Sequence, residues 1–319
     1  MKLNVILLCM LFFVGCTDQL RVEPENSLTF GNITKEKDVE ALVYGVGAGV
    51  RDMVCWNALL QVEKGAYADE VDESRRGARM LELEAGTADL WEPWYQVIMG
   101  AQTVLEHVDV VEMPGERRQF YRGQAYFFKA LAYFDLIRRW GDCILQKEGI
   151  NWEPVAKTPW PEVCDFAIEM AEKAAGMLPP FDKLIDCNGN TMVSKSTPCQ
   201  GAAYALLAHL CAWKAGGKYF AAEVDRNYDE KKLWDMAEKA CTKVIESPLY
   251  DLVATSEDVC ALVLVGNSKE GIYETVMKDY YNEVGKRVYS LGTDYRIKLS
   301  TMVDGSMLNF MKTTDVYAL

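Results

Sequence analysis

Residues 118–142, RQFYRGQAYFFKALAYFDLIRRWGD, decide the fold class of this chain. Apolar residues recur along this stretch every three or four positions, a spacing that places them on one face of an α-helix. The residues on this face are Tyr121, Ala125, Phe128, Ala132 and Leu136. Because small Ala residues alternate with aromatic rings, a neighbouring helix can approach closely, and the face is predicted to be buried. Gly141, which has no Cβ, is predicted to end the helix.

Five further segments show helical periodicity, and together they predict an all-α protein. The first segment begins at residue 34, where Thr34 is a possible N-cap. The other four cover residues 87–108, 161–178, 198–215 and 229–246. Glycines at positions 45, 47 and 49 weaken the first helix, so another helix is expected to pack closely against it. The succession of helix pairs with irregular loops is typical of a tetratricopeptide-like stack, in which neighbouring pairs bury each other's apolar faces. An irregular helical domain is the alternative.

Composition limits the classes of function. The chain has 319 residues, of which 50% are hydrophobic and 25% charged, so it can bury a sizeable core. Its net charge of −13 opposes binding to a phosphate backbone, and nucleic acid is therefore not expected as a partner.

The first 33 residues predict export. A positive start, an apolar run over residues 3–14 and Gly15 directly before Cys16 are typical of a bacterial lipoprotein signal. Residues 1–15 are interpreted as the signal peptide, Cys16 as the lipidated residue that anchors the chain to a membrane, and residues 16–33 as a polar tether. A plain secretory signal or an uncleaved anchor is the alternative.

The ten cysteines do not form a metal-binding pattern. Cys211, Cys241 and Cys260 lie on apolar helix faces and are predicted to be buried. Cys187 and Cys199 flank a polar loop, where either a disulfide or two free thiols would fit the sequence. With two histidines and no zinc-finger spacing, no metal site and no cofactor are predicted.

Several motifs, in their order and spacing, resemble the SusD/RagB family of Bacteroidetes outer-membrane nutrient-uptake lipoproteins. They are the lipoprotein cysteine followed by LRVEP at 20–24, WEPWY at 91–95, RGQAYFFKALAYFD at 122–135 with WGD at 140–142, and the segment 195–210. The resemblance implies a helical-repeat domain over residues 34–281. Members of the family continue further, so residues 282–319 are interpreted as the start of an incomplete C-terminal region.

The resemblance also implies a function. Such a chain would be a non-catalytic, lipid-anchored and surface-exposed protein of the outer membrane. It would bind an oligosaccharide or polysaccharide and deliver it to a TonB-dependent, SusC-like transporter. A helical-repeat scaffold that binds peptide or protein, without a glycan role, is the alternative.

The loop predicted over residues 63–84 mixes both signs of charge with an aromatic residue and is the candidate ligand-binding region. Trp56 and Tyr67 are the candidates for stacking on a sugar, and Asp69 and Arg75 are the candidates for hydrogen bonding to it. A solvated surface loop is the alternative. Neighbouring carboxylates on a loop seldom hold the separation that glycoside hydrolysis needs, so no catalytic residue is assigned.

Overall fold

A computed structural model of the protein describes residues 31–67, 71–72, 91–149, 153–276 and 312–313, without the side chains of residues 55–67, 71–72, 260 and 312–313. The α-helices are α1 (Glu36–Tyr67), α2 (Glu92–His107), α3 (Gly115–Trp140), α4 (Trp160–Met177), α5 (Gln200–Gly216), α6 (Glu230–Ile245) and the one-turn α7 (Ser256–Asp258). Short 3₁₀ helices lie at Phe181–Lys183, Lys218–Phe220 and Glu223–Asp225, and a π-helix lies at Val259–Val263. Two-residue strands, β1 (Val71–Asp72) and β2 (Lys312–Thr313), pair antiparallel, with Val71 opposite Thr313.

Each long helix packs on the next one along the chain, from α1 to α6, and α1 also contacts α3. This stack of helix pairs confirms the predicted all-α, tetratricopeptide-like architecture. None of the described helices has the length and apolar character to span a membrane.

Helix α3 lies at the centre of the stack. The five residues of its predicted apolar face are all buried, as expected. Burial extends beyond that face, because α3 contacts α2, α4, α1 and α5, and it includes the polar residues Gln124, Lys129 and Asp135. The helix ends at Gly141, whose φ of 69° lies in the region that favours glycine.

Close approach between α1 and α2 depends on glycines. A Cβ on Gly49 would lie 3.2 Å from a methyl of Val97, and a Cβ on Gly100 would lie 3.1 Å from a methyl of Val46. The two backbones therefore approach closely because glycine side chains are absent at these two positions. The expectation of close packing is therefore confirmed at Gly49, whereas a Cβ on Gly45 or Gly47 would meet no atom within 4 Å.

A polar network joins the start of α1 to α3 and to the loop after α4. Arg117 donates from Nε to Glu36 Oε1 at 2.6 Å and from Nη1 to the carbonyl of Ile185 at 2.8 Å. The Tyr121 hydroxyl donates to Glu36 at 2.9 Å, and the backbone N–H of Cys187 donates to Glu40 Oε1 at 2.9 Å. These bonds fix the N-terminal end of α1 on the stack.

Lys195 attaches residues 267–274, which lie beyond α6 in the chain, to the helical stack. Its side chain is only 4% exposed, and Nζ donates to the backbone carbonyls of Ser268 and Gly271. The carboxylate of Glu274 accepts from the backbone N–H of Asn267 at 2.7 Å, and the Glu274 N–H donates to the Lys195 carbonyl at 3.0 Å. Residues 267–274 are thereby held against the start of α5.

The structure corrects several sequence-based expectations about single elements. Helix α1 continues to Tyr67, so residues 63–67 are helical and the predicted loop 63–84 begins too early. Helix α2 begins at Glu92 rather than at residue 87. The start of α1 is capped by the carboxylate of Asp38, which accepts from the backbone N–H groups of Thr34 at 3.1 Å and Lys35 at 2.8 Å.

The cysteines divide into confirmed and corrected expectations. Cys211 is buried, as predicted, whereas Cys241 is exposed, because the buried face of α6 runs through Leu233, Ala237 and Ala240. The side chain of Cys260 lies outside the described residues. Cys187 and Cys199, for which the sequence allowed a disulfide, are both free thiols.

Candidate functional site

The four predicted ligand-binding residues lie at or beyond the C-terminal part of α1. Trp56 and Tyr67 belong to that helix, but their side chains lie outside the described residues. Asp69 and Arg75 lie outside the described residues altogether. Their role as a site therefore stays a prediction. Trp94, by contrast, is fully buried, and its Nε1 donates to Asp135 at 2.7 Å.

A groove with a volume of about 470 Å³ lies beside the same helix; we call it the α1–α3 groove. Its walls are α1, α3, the turn at residues 194–198 and the segment at residues 273–276. The volume falls in the range of roughly 300–1,000 Å³ that is common for small-molecule sites. The lining mixes three aromatic residues, hydroxyl groups, an amide and one charge of each sign, from Arg51 and Glu274.

Two side chains define the chemistry of this groove. Tyr44 of α1 has a half-exposed ring, and burial, followed by the nearby carboxylate of Glu40, raises the pKa of its hydroxyl. Gln124 of α3 is only 4% exposed and also lies in the lining. Ser194 and Ser196, in the turn before α5, hydrogen-bond to each other through their hydroxyls at 2.9 Å.

The segment at residues 273–276 completes the groove from a distant part of the sequence. The ring of Tyr273 packs edge-on against Phe127, with centroids 5.0 Å apart. Glu274 and Thr275 follow in the lining. Because Lys195 and Glu274 hold residues 267–274, this wall has a defined position relative to α3.

A second groove, of about 570 Å³, lies between α2, α3 and α4 and has a different character. Lys129 lies in its lining, is 1% exposed, and donates to Gln102 Oε1 at 2.7 Å and to the carbonyl of Lys147 at 2.9 Å. Burial lowers the pKa of Lys129 to about 8, although the carboxylates of Glu106 and Glu148 partly offset the effect. In this second groove, unlike the first, the buried polar side chain of the lining is engaged in hydrogen bonds within the protein.

Sequence reasoning missed the residues of the α1–α3 groove. Tyr44 and Arg51 lie seven positions apart on α1, a helical spacing that could have indicated a shared face. Gln124 interrupts an apolar stretch of α3, which is a weaker signal. Residues 273–276 carried no signal, since nothing in their sequence indicates contact with a helix almost 150 residues earlier. Among the described residues, no group of three or more His, Cys, Asp or Glu side chains could hold a metal ion.

Comparison with known proteins connects this architecture to a family. Residues 63–211 match the profile of a SusD-like family described as starch-binding and associating with the outer membrane. A SusD-like protein from Formosa agariphila is 25% identical over 222 residues, which are 65% of this chain and 42% of that protein. The chain thus spans less than half the length of this relative.

Solved structures share the fold. A SusD-like protein from Bacteroides fragilis superposes with a TM-score of 0.58 at 20% identity, covering 77% of this chain and 45% of that one. A surface glycan-binding protein from Bacteroides thetaiotaomicron, solved with laminarihexaose, gives a TM-score of 0.56 at 13% identity and covers 77% of this chain and 50% of that one. The resemblance to the SusD/RagB family that the motifs predict is therefore confirmed, in sequence over residues 63–211 and in fold over 77% of the chain.

Proposed function

We propose that this chain is a non-catalytic, surface-exposed lipoprotein that binds glycans at the outer membrane and passes oligosaccharides to a TonB-dependent, SusC-like transporter. The observation that carries the proposal is the fold shared with the laminarihexaose-bound surface protein, at a TM-score of 0.56 over 77% of this chain. The family description, starch-binding and associating with the outer membrane, agrees with it.

In this proposal Trp56 and Tyr67 stack on the apolar faces of sugar rings, and Asp69 and Arg75 hydrogen-bond to hydroxyl groups. Aromatic faces with a few oriented polar groups are what a carbohydrate site requires, because pyranose rings carry C–H patches between their hydroxyls. The position of Trp56 and Tyr67 on one helix supports the idea, since a helix holds its residues more rigidly than a loop.

Affinity electrophoresis of the full chain in gels containing starch, laminarin or xyloglucan tests the glycan role. Trp56→Ala and Tyr67→Ala are each expected to weaken retention by roughly tenfold, about 1.4 kcal/mol. Trp234→Ala is the matched control, because this half-exposed tryptophan lies on α6, away from α1. Retention of peptides and of no glycan would contradict the proposal and favour the peptide-binding scaffold.

Anchoring is tested separately through Cys16. Mass spectrometry of the mature protein is expected to show acyl chains on Cys16, and Cys16→Ser is expected to release the protein from the membrane fraction. A wild-type protein that is unacylated and fully released would contradict the lipoprotein assignment. Co-purification with a TonB-dependent transporter from detergent-solubilised outer membranes tests the partner.

A further inference from the structure

Gln124 is the most unusual polar group of the described core. The residue is only 4% exposed on the central helix, and within the described residues its amide makes no hydrogen bond. The amide atoms are not enclosed, because they keep contact with solvent where Gln124 lines the α1–α3 groove. Water satisfies such an amide, and a molecule that enters the groove can replace that water with hydrogen bonds of its own.

The groove around Gln124 is suited to a neutral ligand that carries hydroxyl groups. The half-exposed ring of Tyr44 offers an apolar surface, and the amide offers two donors and an acceptor. Arg51 and Glu274 contribute one charge of each sign, so the lining has no excess of either. An anionic ligand would find no net positive charge there, on a chain whose overall charge is −13.

We propose that the α1–α3 groove is a carbohydrate subsite in which the Gln124 amide hydrogen-bonds to sugar hydroxyls and the Tyr44 ring lies against a pyranose face. The residues that define this subsite are other than Trp56, Tyr67, Asp69 and Arg75, and the ligand class rests on the proposed function. Residues 273–276, held by Lys195, form one wall of the groove.

The replacement Gln124→Leu tests the role of the amide. Leucine keeps much of the volume but cannot hydrogen-bond, so the affinity for a sugar in the groove is expected to fall about five- to thirtyfold, equivalent to about 1–2 kcal/mol. The thermal midpoint is expected to change little, because the amide forms no hydrogen bond to the rest of the described chain. Isothermal titration with maltohexaose, laminarihexaose and a xyloglucan oligosaccharide measures the affinity.

Two glycines of α1 provide a matched steric test. A Cβ added at either Gly45 or Gly47 would meet no atom within 4 Å. Gly47 lines the α1–α3 groove, whereas Gly45 lines a separate groove between α1 and α2. Gly47→Leu is therefore expected to obstruct the subsite and to lower the sugar affinity at least tenfold, while Gly45→Leu leaves it within about twofold. Both replacements raise the helix propensity of α1, so a difference in sugar affinity between the two variants would not reflect a difference in folding.

The outcomes separate this inference from the proposed function. If the wild-type chain binds a glycan and both Gln124→Leu and Gly47→Leu bind it with unchanged affinity, the subsite is wrong and the proposed function stands. If the wild-type chain binds none of the three oligosaccharides, both are wrong. Equal losses in Gly45→Leu and Gly47→Leu would also overturn the subsite, because the effect would then not depend on the groove.

Discussion

The three buried polar residues of α3, which are Asp135, Lys129 and Gln124, differ in the hydrogen bonds that they form. Asp135 accepts from Trp94 Nε1 at 2.7 Å, Arg138 at 2.9 Å and Arg139 at 3.1 Å. Lys129 likewise finds an amide oxygen and a backbone carbonyl. Gln124, on the same helix and buried to a similar degree, forms no hydrogen bond within the described part of the chain.

This difference separates polar groups that hold the fold from one that is available to a ligand. Asp135 and Lys129 connect α3 to its neighbours, and their removal should be felt throughout the stack. Gln124 forms no hydrogen bond to another described residue, so its replacement should affect the binding of a molecule in the groove and not the stability of the fold. The variants below test this distinction, from the largest expected change in stability to the smallest.

Asp135→Ala is expected to have the largest effect on stability, about 3–5 kcal/mol, because it leaves the buried guanidinium of Arg139 and the indole N–H of Trp94 without their acceptor. Urea denaturation of the variant and the wild type measures the change. Asp182→Ala, which removes an exposed carboxylate beside Lys183, is the control and should change little. A loss below about 1 kcal/mol in Asp135→Ala would contradict a structural role.

Lys129→Met is expected to reveal a pH dependence. The pKa of Lys129 is about 8 in the folded chain, compared with 10.5 for an ordinary lysine. Between these values the unfolded chain keeps a proton that the folded chain has released, so the wild type gains stability as the pH rises from 8 towards 10.5. The free energy of unfolding of the wild type, relative to Lys129→Met, should increase by on the order of 1–3 kcal/mol between pH 7 and pH 10.

If the free energy of unfolding changed with pH in the same way for the wild type and Lys129→Met, the prediction of a lowered pKa for Lys129 would be wrong. The comparison with the variant is needed because other lysines, cysteines and tyrosines titrate in the same interval. Their contributions cancel in the difference between the two proteins.

Gln124→Leu is expected to change stability by no more than about 1 kcal/mol, because the amide is open to the groove and bonds to no other part of the described chain. Chemical denaturation without added glycan measures it. A loss of 2 kcal/mol or more would show that the amide supports the fold, and the contrast with Asp135 would disappear.

Lys173→Ala sets the baseline. Its ion pair with Glu169, at 2.6 Å along the exposed face of α4, is open to solvent on both sides. Such pairs contribute about 0.3–0.5 kcal/mol, so the midpoint of denaturation should barely move. An effect as large as that of Lys129→Met would mean that burial does not distinguish the two lysines.

The sequence was sufficient for the elements whose pattern is local. Alternating Ala and aromatic residues located α3, and Gly141 located its end, because periodicity and a missing Cβ are properties of neighbouring residues. The full length of α1 was missed, since three glycines and the charged residues 63 and 64 resemble a loop. What stabilises that helix is contact with α2, which local sequence does not encode.

Polar partners were the part that sequence could not provide. The acceptors of Lys129 lie on α2 and in the connection after α3, and neither is close to it in the chain. The α1–α3 groove similarly joins residue 44 to residue 276, so its existence depends on how the whole stack closes. The likeness to a family is the basis for the proposed class of ligand, but it gives no indication of this arrangement of residues.

Lys195 recognises backbone carbonyls rather than side chains at Ser268 and Gly271. A peptide oxygen is present whatever side chain occupies position 268, so substitution of Ser268 leaves this acceptor in place. Gly271 is restricted, because a Cβ there would clash with the carboxylate of Glu274. The sequence of this segment can therefore vary at position 268 beside the α1–α3 groove while Lys195 keeps its attachment to the helical scaffold.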